Sequence, residues 1–452
     1  MKILNRRNIL ITVVIAVLIT AFYFFQIHCT LDGDTVCYIN KDDTFQIEEN
    51  ARISVQVPSE SVGDYLVKTW NTLHPEQFGA VSYVVSEPLS LKALTEPMET
   101  DVIMTSIYDA AYVLNKMQDL GKEGHDHILD TVHMRHEGAI NLRGTYFVPN
   151  SISGWSFVYN QTLAEEIGLD LTDSNGDGLP DSFDSFEKIF ELESMILEHV
   201  DVLFPITFID QYSFYPFLTT GKWSLNFTHN GMNPDFDKKE FLNGLDFIEA
   251  IASVKLRNDE TTSAEDLPWG YDVDFFGRKA LFSMVADWMR LDYQQSFTED
   301  VYVKAPFPTF NSNPISPMGD VIGYMVQDNT KYPSASAEAL RILRAPEVAG
   351  VFEHKDSVLI YHDERINDLD IEDTKKQEIW TYAFHKPEPV IALDENPNVL
   401  ARELYYHVDM MPVLMDLYDG DITKEEAQQQ IVELSQNWLN EKVGDKDVED
   451  TD

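Results

Sequence analysis

A chain of 452 residues is too long for one compact core, so two domains are expected. With 44% hydrophobic and 12% aromatic residues it can fill both cores, which excludes wholesale disorder. A formal net charge of -44 repels phosphate backbones and anionic lipid, which excludes nucleic-acid binding and argues against a body lying flat on a membrane.

Lys2, Arg6 and Arg7 precede a nearly unbroken apolar run from Ile9 to Phe25. Basic residues before such a run place the N-terminus in the cytoplasm and the body outside. The run is long for the core of a signal peptide and short for a spanning helix, and no small-x-small cleavage site follows it. Gln26 and His28 stand where a lipoprotein signal wants small residues before its cysteine, here Cys29. Residues 1–28 therefore read as a signal or transmembrane anchor that stays attached at the cell surface, and 29–48 as a polar tether. Cys29 and Cys37 are the only cysteines. They leave the body without thiol chemistry, and whether they pair is open.

The body alternates strands and helices. Arg52 to Val57 alternates polar and apolar residues as a strand does, and Pro58 ends it. Val62, Tyr65, Leu66, Thr69, Trp70 and Leu73 recur at helical spacing. Ala80–Val85 and Asp101–Thr105 read as strands, and Tyr108–Met117 as a helix. A second unit begins near Gly154, with a strand over Trp155–Tyr159 and helices over Gln161–Ile167 and Phe183–Val200. A strand over Leu203–Phe208 follows. Phe241–Val254 and the stretch from Arg278 to Met284 continue the alternation. The proline-bounded stretch from Val303 to Pro308 reads as a crossing between lobes. Val321–Val326 is a strand and Ala335–Leu343 a helix. The C-terminus is helical over Leu400–Tyr418 and Thr423–Leu439, with Thr423 and Glu426 spaced as a capping box. The acidic tail 443–452 reads as loose. Trp70 and Trp438 sit in apolar helical stripes and read as core. This alternation predicts layered α/β structure with a parallel sheet, and no internal repeat is visible.

Four segments in order resemble the extracellular solute-binding proteins of ATP-driven importers, the maltose-binding-protein group. They are Tyr146 to Asn160, with the helix that ends at Gly168; Ala280 to Trp288; Pro317 to Val326, with the following helix and Ala345-Pro346-Glu347; and the helical C-terminus. The resemblance covers most of the chain from Arg52 to Lys442, and 351–396 matches least well. It implies an α/β fold of two lobes, the type II periplasmic-binding-protein-like fold. The first lobe would take 49–150 and 306–350, and the second 151–305 and 351–442. It implies a sugar or oligosaccharide held between lobes, ABC permease subunits as partners, a monomeric body and no enzymatic activity. The chain has no phosphate-binding loop, so energy would come from another subunit.

Sugars offer C–H faces to aromatic rings and hydroxyls to planar polar groups. Candidates at strand ends and at the crossing are Trp288, Trp155, Tyr108, Ser106, Tyr212 and Tyr215, with Asp287 and Asp320 as hydroxyl acceptors. Core packing is the alternative for each aromatic. The other sharp motif is Asp173-Ser174-Asn175-Gly176-Asp177-Gly178-Leu179-Pro180-Asp181-Ser182-Phe183-Asp184. Asp173, Asn175, Asp177, Asp181 and Asp184 and the Leu179 carbonyl fall at the ligand spacings of a calcium loop, with glycine at position six. Asp184 replaces the usual long glutamate, and Pro180 cannot pair with a second loop. The expectation is a lone structural Ca2+, and an acidic helix-capping turn is the alternative. A hydrolase or a receptor for a peptide or polyol stays open, although no Gly-x-Ser-x-Gly elbow or HExxH motif is present. His125 and His127 flank Asp126 and read as solvated.

Overall fold

The structure, a computed structural model, describes residues 36–39, 43–132, 141, 144–176, 178–209, 211–223, 226–227, 235–267, 273–286, 289, 291, 297–316, 319–352, 357–361, 363–373, 375–376, 379, 390–391 and 408–449. The expected anchor, 1–28, lies outside the described residues. Among those described, no helix is long and apolar enough to cross a membrane.

Twelve strands are present among the described residues: β1 (Tyr38–Ile39), β2 (Thr44–Phe45), β3 (Ile53–Val57), β4 (Val81–Val85), β5 (Val102–Ser106), β6 (Val148–Asn160), β7 (Asn226–Phe227), β8 (Phe282–Ala286), β9 (Tyr302–Ala305), β10 (Gly319–Val326), β11 (Val358–Leu359) and β12 (Val390–Ile391). The main sheet runs β11-β6-β10-β5-β3-β4, and β8 and β9 also pair with β6. β3 is parallel to β4 and β5, whereas β10 is antiparallel to β5 and β6, so the sheet is mixed rather than wholly parallel.

Two large cores and a small third cluster, of Val158, Phe275, Val285, Leu291 and Tyr302, form around this sheet among the described residues, and β6 belongs to all three. Its first half, through Gly154, pairs with β10 and β11. Its second half, from Trp155, pairs with β8 and β9. The first core gathers residues 36–152 and 321–379, and the second gathers 155–315 and 408–439. This assigns two stretches against the sequence-based division. Phe307, Phe310 and Ile315 are in the second core, because β9 pairs with β6 there and the chain crosses only between Ile315 and Val321. The segment 358–379 is in the first core, because β11 adds to the first half of β6.

Local chemistry explains the other departures. The helix expected over Phe183–Val200 starts at Phe186, because the Ser185 side chain accepts the Lys188 N–H and so caps it, and it is interrupted at Leu192. Residues 203–208 are buried but form no ladder; a short apolar run cannot by itself be told from a strand. The stretch 107–116 is one α-helical turn followed by a 3-10 helix. The capping box at Thr423 and Glu426 forms in both directions, and the helix it opens continues through Glu449, into the stretch expected to be loose. Trp70 is fully buried, and Trp438 packs against the second core.

The expected tether is part of the fold from Val36 onward. β1 and β2 form a hairpin, and Phe45 is buried in the first core. Cys37 is buried and disulfide-bonded; the only other cysteine, Cys29, lies outside the described residues. Trapped backbone donors and acceptors need partners, and here helix 333–343 provides them. The Cys37 N–H donates to Ser334 Oγ at 2.8 Å, and the Phe45 N–H to Glu338 Oε2 at 3.1 Å.

Candidate ligand site at the lobe crossing

Strand register brings several of the candidate residues to one place. β5 ends at Ser106, opposite Ile322 of β10. β10 extends beyond β5 toward Gly319, which pairs with Gly154 of β6, while Asp320 pairs with Ser153. One residue on, Trp155 pairs with Ala286, the last residue of β8. The ends of β5 and β8 and the start of β10 therefore converge on the point where β6 passes from one core to the other.

Tyr108 follows β5 by two residues and reaches this point directly. Its Oη donates to the Gly319 carbonyl at 3.3 Å, beside the Gly319–Gly154 pair. Ser106 Oγ accepts the Asp109 N–H at 3.3 Å, capping the short helix after β5. Tyr108 belongs to the first core and Trp155 to the second, so each lobe sends one ring to the crossing. Tyr215 is placed elsewhere. It is buried in the second core, with its ring stacked on Trp223 at 5.8 Å between centroids. Residue 212 lies in a 3-10 turn, 211–213, of the second lobe. Asp287 and Trp288 lie outside the described residues.

Polar groups around β6 keep its ends fixed. Asn160 caps helix 161–167, accepting the Leu163 N–H at 2.9 Å, and donates to Asp300 at 2.8 Å. Gly168 closes that helix in the left-handed region, at φ 89°, where a side chain would be strained. At the other end, buried Arg344 donates to the carbonyls of Asn150 and Ile360, and its guanidinium lies 5.0 Å over the Tyr361 ring. Burial lowers the Arg344 pKa, since burial disfavours charge. Sequence reasoning missed this arginine; its only signal was a basic residue closing an apolar helix.

The loop 173–184 folds over the second-lobe end of β6. Burial pushes the Tyr159 hydroxyl up to about 12, helped by the charges of Asp173 and Glu165. Asp173 accepts N–H groups from Gly176 at 2.7 Å and Gly178 at 2.8 Å. Asp181 accepts the Ser174 N–H and hydroxyl, the bonds that lower its pKa. Asp184 pairs with Lys188 at 2.9 Å, Asn175 is exposed, and the Leu179 side chain is buried in the second core. Asp177 lies outside the described residues. Among the described residues, no group of three or more His, Cys, Asp or Glu side chains is arranged to hold a metal ion. His127 stacks on Tyr38, and Asp126 pairs with Lys122.

No family model matches the sequence, and no curated protein matches it. Solved structures do match the fold. A cyclo/maltodextrin-binding protein complexed with maltotetraose aligns with a TM-score of 0.61 and 16% identity, covering 85% of this chain and 96% of that one. The maltose-binding periplasmic protein MalE from Listeria monocytogenes, in complex with maltose, aligns with a TM-score of 0.62 and 15% identity, over 87% of this chain and 99% of that one. The cyclic alpha-maltosyl-1,6-maltose binding protein from Arthrobacter globiformis gives 0.62 and 13%, over 86% and 99%. The chain thus has the mixed α/β fold of the two-lobe maltose-binding proteins.

Proposed function

We propose that this chain is a non-enzymatic solute-binding protein. It captures a sugar or oligosaccharide between its lobes outside the cell and delivers it to the permease of an ABC importer. The observation that carries this reading is the shared strand β6, with Tyr108 from one core and Trp155 from the other brought to its crossing point. Two rigid bodies joined by a few extended segments can hinge, and a ligand that touches both favours the closed form. The solved structures of like fold include proteins bound to maltose and maltotetraose, which supports the ligand class.

Titrating the purified body with maltose, maltotetraose and a panel of other sugars, peptides and polyols tests the reading. A ligand at 100 times its Kd should stabilise the body by about 2.7 kcal/mol and be recovered intact. Shorter products would instead make the chain a hydrolase, and a melting temperature indifferent to the whole sugar panel would end the sugar assignment.

In the same reading the loop 173–184 takes one structural Ca2+, supported by the oxygen spacing and the glycine at position six. Calcium must then replace hydrogen bonds that Asp173 and Asp181 now accept from the loop itself. A melting temperature raised by calcium but not by magnesium, and insensitive to calcium after Asp173→Asn, is the expected result. Equal response to both ions would leave the loop an acidic turn.

A further inference from the structure

Strand β4 ends the main sheet on the first-lobe side. Among the described residues it pairs only with β3, in register from Val81 to Val85 and without a bulge. The outer N–H and C=O groups of an edge strand are open to any other strand, so edges are ordinarily blunted by a charge, a proline or a bulge. This edge has none of them. The stretch 78–86, Phe-Gly-Ala-Val-Ser-Tyr-Val-Val-Ser, holds no charge and no proline in a chain of net charge -44.

The ladder shows which groups are open. The Ile53 N–H donates to the Ala80 carbonyl at 2.9 Å, and the Ser86 N–H to the Val57 carbonyl at 3.2 Å. In a parallel ladder alternate residues turn both backbone groups to the same neighbour. Ala80, Ser82, Val84 and Ser86 therefore face β3, and Val81, Tyr83 and Val85 offer their N–H and C=O groups outward. Side chains alternate between the two faces as well. Tyr83 lies on helix Glu60–Leu73, where a Cβ on Gly63 would come within 2.5 Å of its ring, and Val81 is in the first core. Ser82 and Val84 take the opposite face, where both are exposed, Val84 by 45%.

The elements flanking the edge are acidic. Helix Glu60–Leu73, the 3-10 turn Pro75–Gln77 and the segment 86–90 carry Glu60, Asp64, Glu76 and Glu87, all exposed, against a single Lys or Arg, Lys68. Asp64 accepts the Tyr83 hydroxyl at 2.8 Å, and the charges of Asp64 and Glu60 both raise the Tyr83 pKa, so two of these carboxylates stand beside the helix face of the edge.

We infer that β4 is a docking edge for an extended segment of another protein, one that alternates basic with β-branched residues. The added strand bonds to the outward groups of Val81, Tyr83 and Val85. Its basic side chains meet Glu60 and Asp64 on the helix face, and its β-branched ones lie beside Val84 on the other. A second copy of this chain is the poorer occupant, because pairing β4 with β4 would bring the acids of both copies together, each on a body of net charge -44.

Titrating the full-length chain with a heptapeptide that alternates lysine with valine, and with its counterpart carrying glutamate for lysine, tests this. At ten times its Kd the lysine peptide should slow hydrogen exchange of the outward amides within 81–85 about tenfold, since only the unbound fraction exchanges. The glutamate peptide should change nothing. Val85→Pro removes one outward N–H and spares every bond to β3, so it should weaken the lysine peptide about fivefold at an unchanged melting temperature. Glu60→Gln with Asp64→Asn, which leaves the strand itself untouched, should weaken it about threefold and flatten its salt dependence. Equal binding of the two peptides would overturn the basic partner. Exchange across 81–85 that does not respond to bound lysine peptide would overturn the edge as the site. A dimer in sedimentation that Val85→Pro dissolves would overturn the occupant in favour of a second copy.

Discussion

The two cores are built from different material. The first packs Val, Ile, Leu and Ala from the sheet and from helix 333–343: Ile53, Val55 and Val57 on β3, Val102 and Ile103 on β5, and Ala335, Ala337, Ala339 and Leu340 on the helix. The second is knitted from phenylalanines on short helices and irregular segments. Phe217 stacks flat on Phe247 at 4.2 Å, and Phe186 meets Phe204, Phe217 and Phe247 edge-on at 5.4, 5.6 and 5.1 Å. Strands buried on both faces favour branched aliphatics, each making a modest share of the contacts. A ring cluster concentrates its contacts in a few large groups, whose quadrupoles also fix their mutual angles.

The comparison breaks most sharply at a single truncation in each core. Phe217→Ala should cost about 3–5 kcal/mol, because the rings around it cannot collapse into the space. Val102→Ala in the first core should cost about 2 kcal/mol, the loss of two methyl groups and a small cavity. Urea unfolding of the purified body measures both, and equal losses would mean that the ring cluster is no more interlocked than the sheet.

A middle-sized effect is expected where the cores join. Gly323 sits at the register shift between β10 and β6. A Cβ there would lie 2.5 Å from the Val148 carbonyl and 2.5 Å from the Phe147 ring, and the carbonyl cannot give way. Gly323→Ala should therefore cost about 1–3 kcal/mol by overpacking. Because it displaces the strand that both lobes share, it should also weaken sugar binding. Gly350→Ala, where no atom lies within 4 Å of the new Cβ, should leave both unchanged. If the two variants behave alike, the shared strand is not the coupling element.

The same contrast decided what could be read from sequence. β3, β4, β5 and the second half of β6 were legible because alternation and short apolar runs bounded by proline or polar residues report a sheet directly. The second lobe's irregular buried stretch 203–208 carries the same signal without the ladder, so it read as a strand. Glu48 was not legible at all, because the Ser334 N–H it accepts lies 286 positions later and only the fold brings them together. The lobe boundary slipped for a related reason. Val303 to Pro308 has the proline pattern of a crossing, but β9 pairs inside the second lobe, and nothing local marks the true crossing beyond Ile315.

The smallest predicted effect separates two buried carboxylates at helix 333–343, Glu48 at its start and Glu338 within it. Burial alone would raise both pKa values. For Glu48 it prevails over the bonds from Ser334 and Ala335, so the folded value is raised above the ordinary 4.5. For Glu338 the bonds from Arg341 and His74 outweigh burial, and the folded value falls below 4.5. The signs are opposite. A depressed acid stabilises the fold above its unfolded pKa, and that contribution is lost as pH falls through the folded value. A raised acid binds its proton more tightly in the folded state, so its linkage term favours folding as pH falls through the raised value. Melting curves of the body between pH 7 and pH 3 should therefore lose less on acidification in Glu338→Gln than in the parent protein. In Glu48→Gln they should lose more. Differences of about 2–4 °C are expected, the shift produced by roughly 1 kcal/mol in a lobe of this size. Matching slopes in the two variants would mean that Glu48 and Glu338 are held alike, and that the helix N-terminus does not sense which of them it meets.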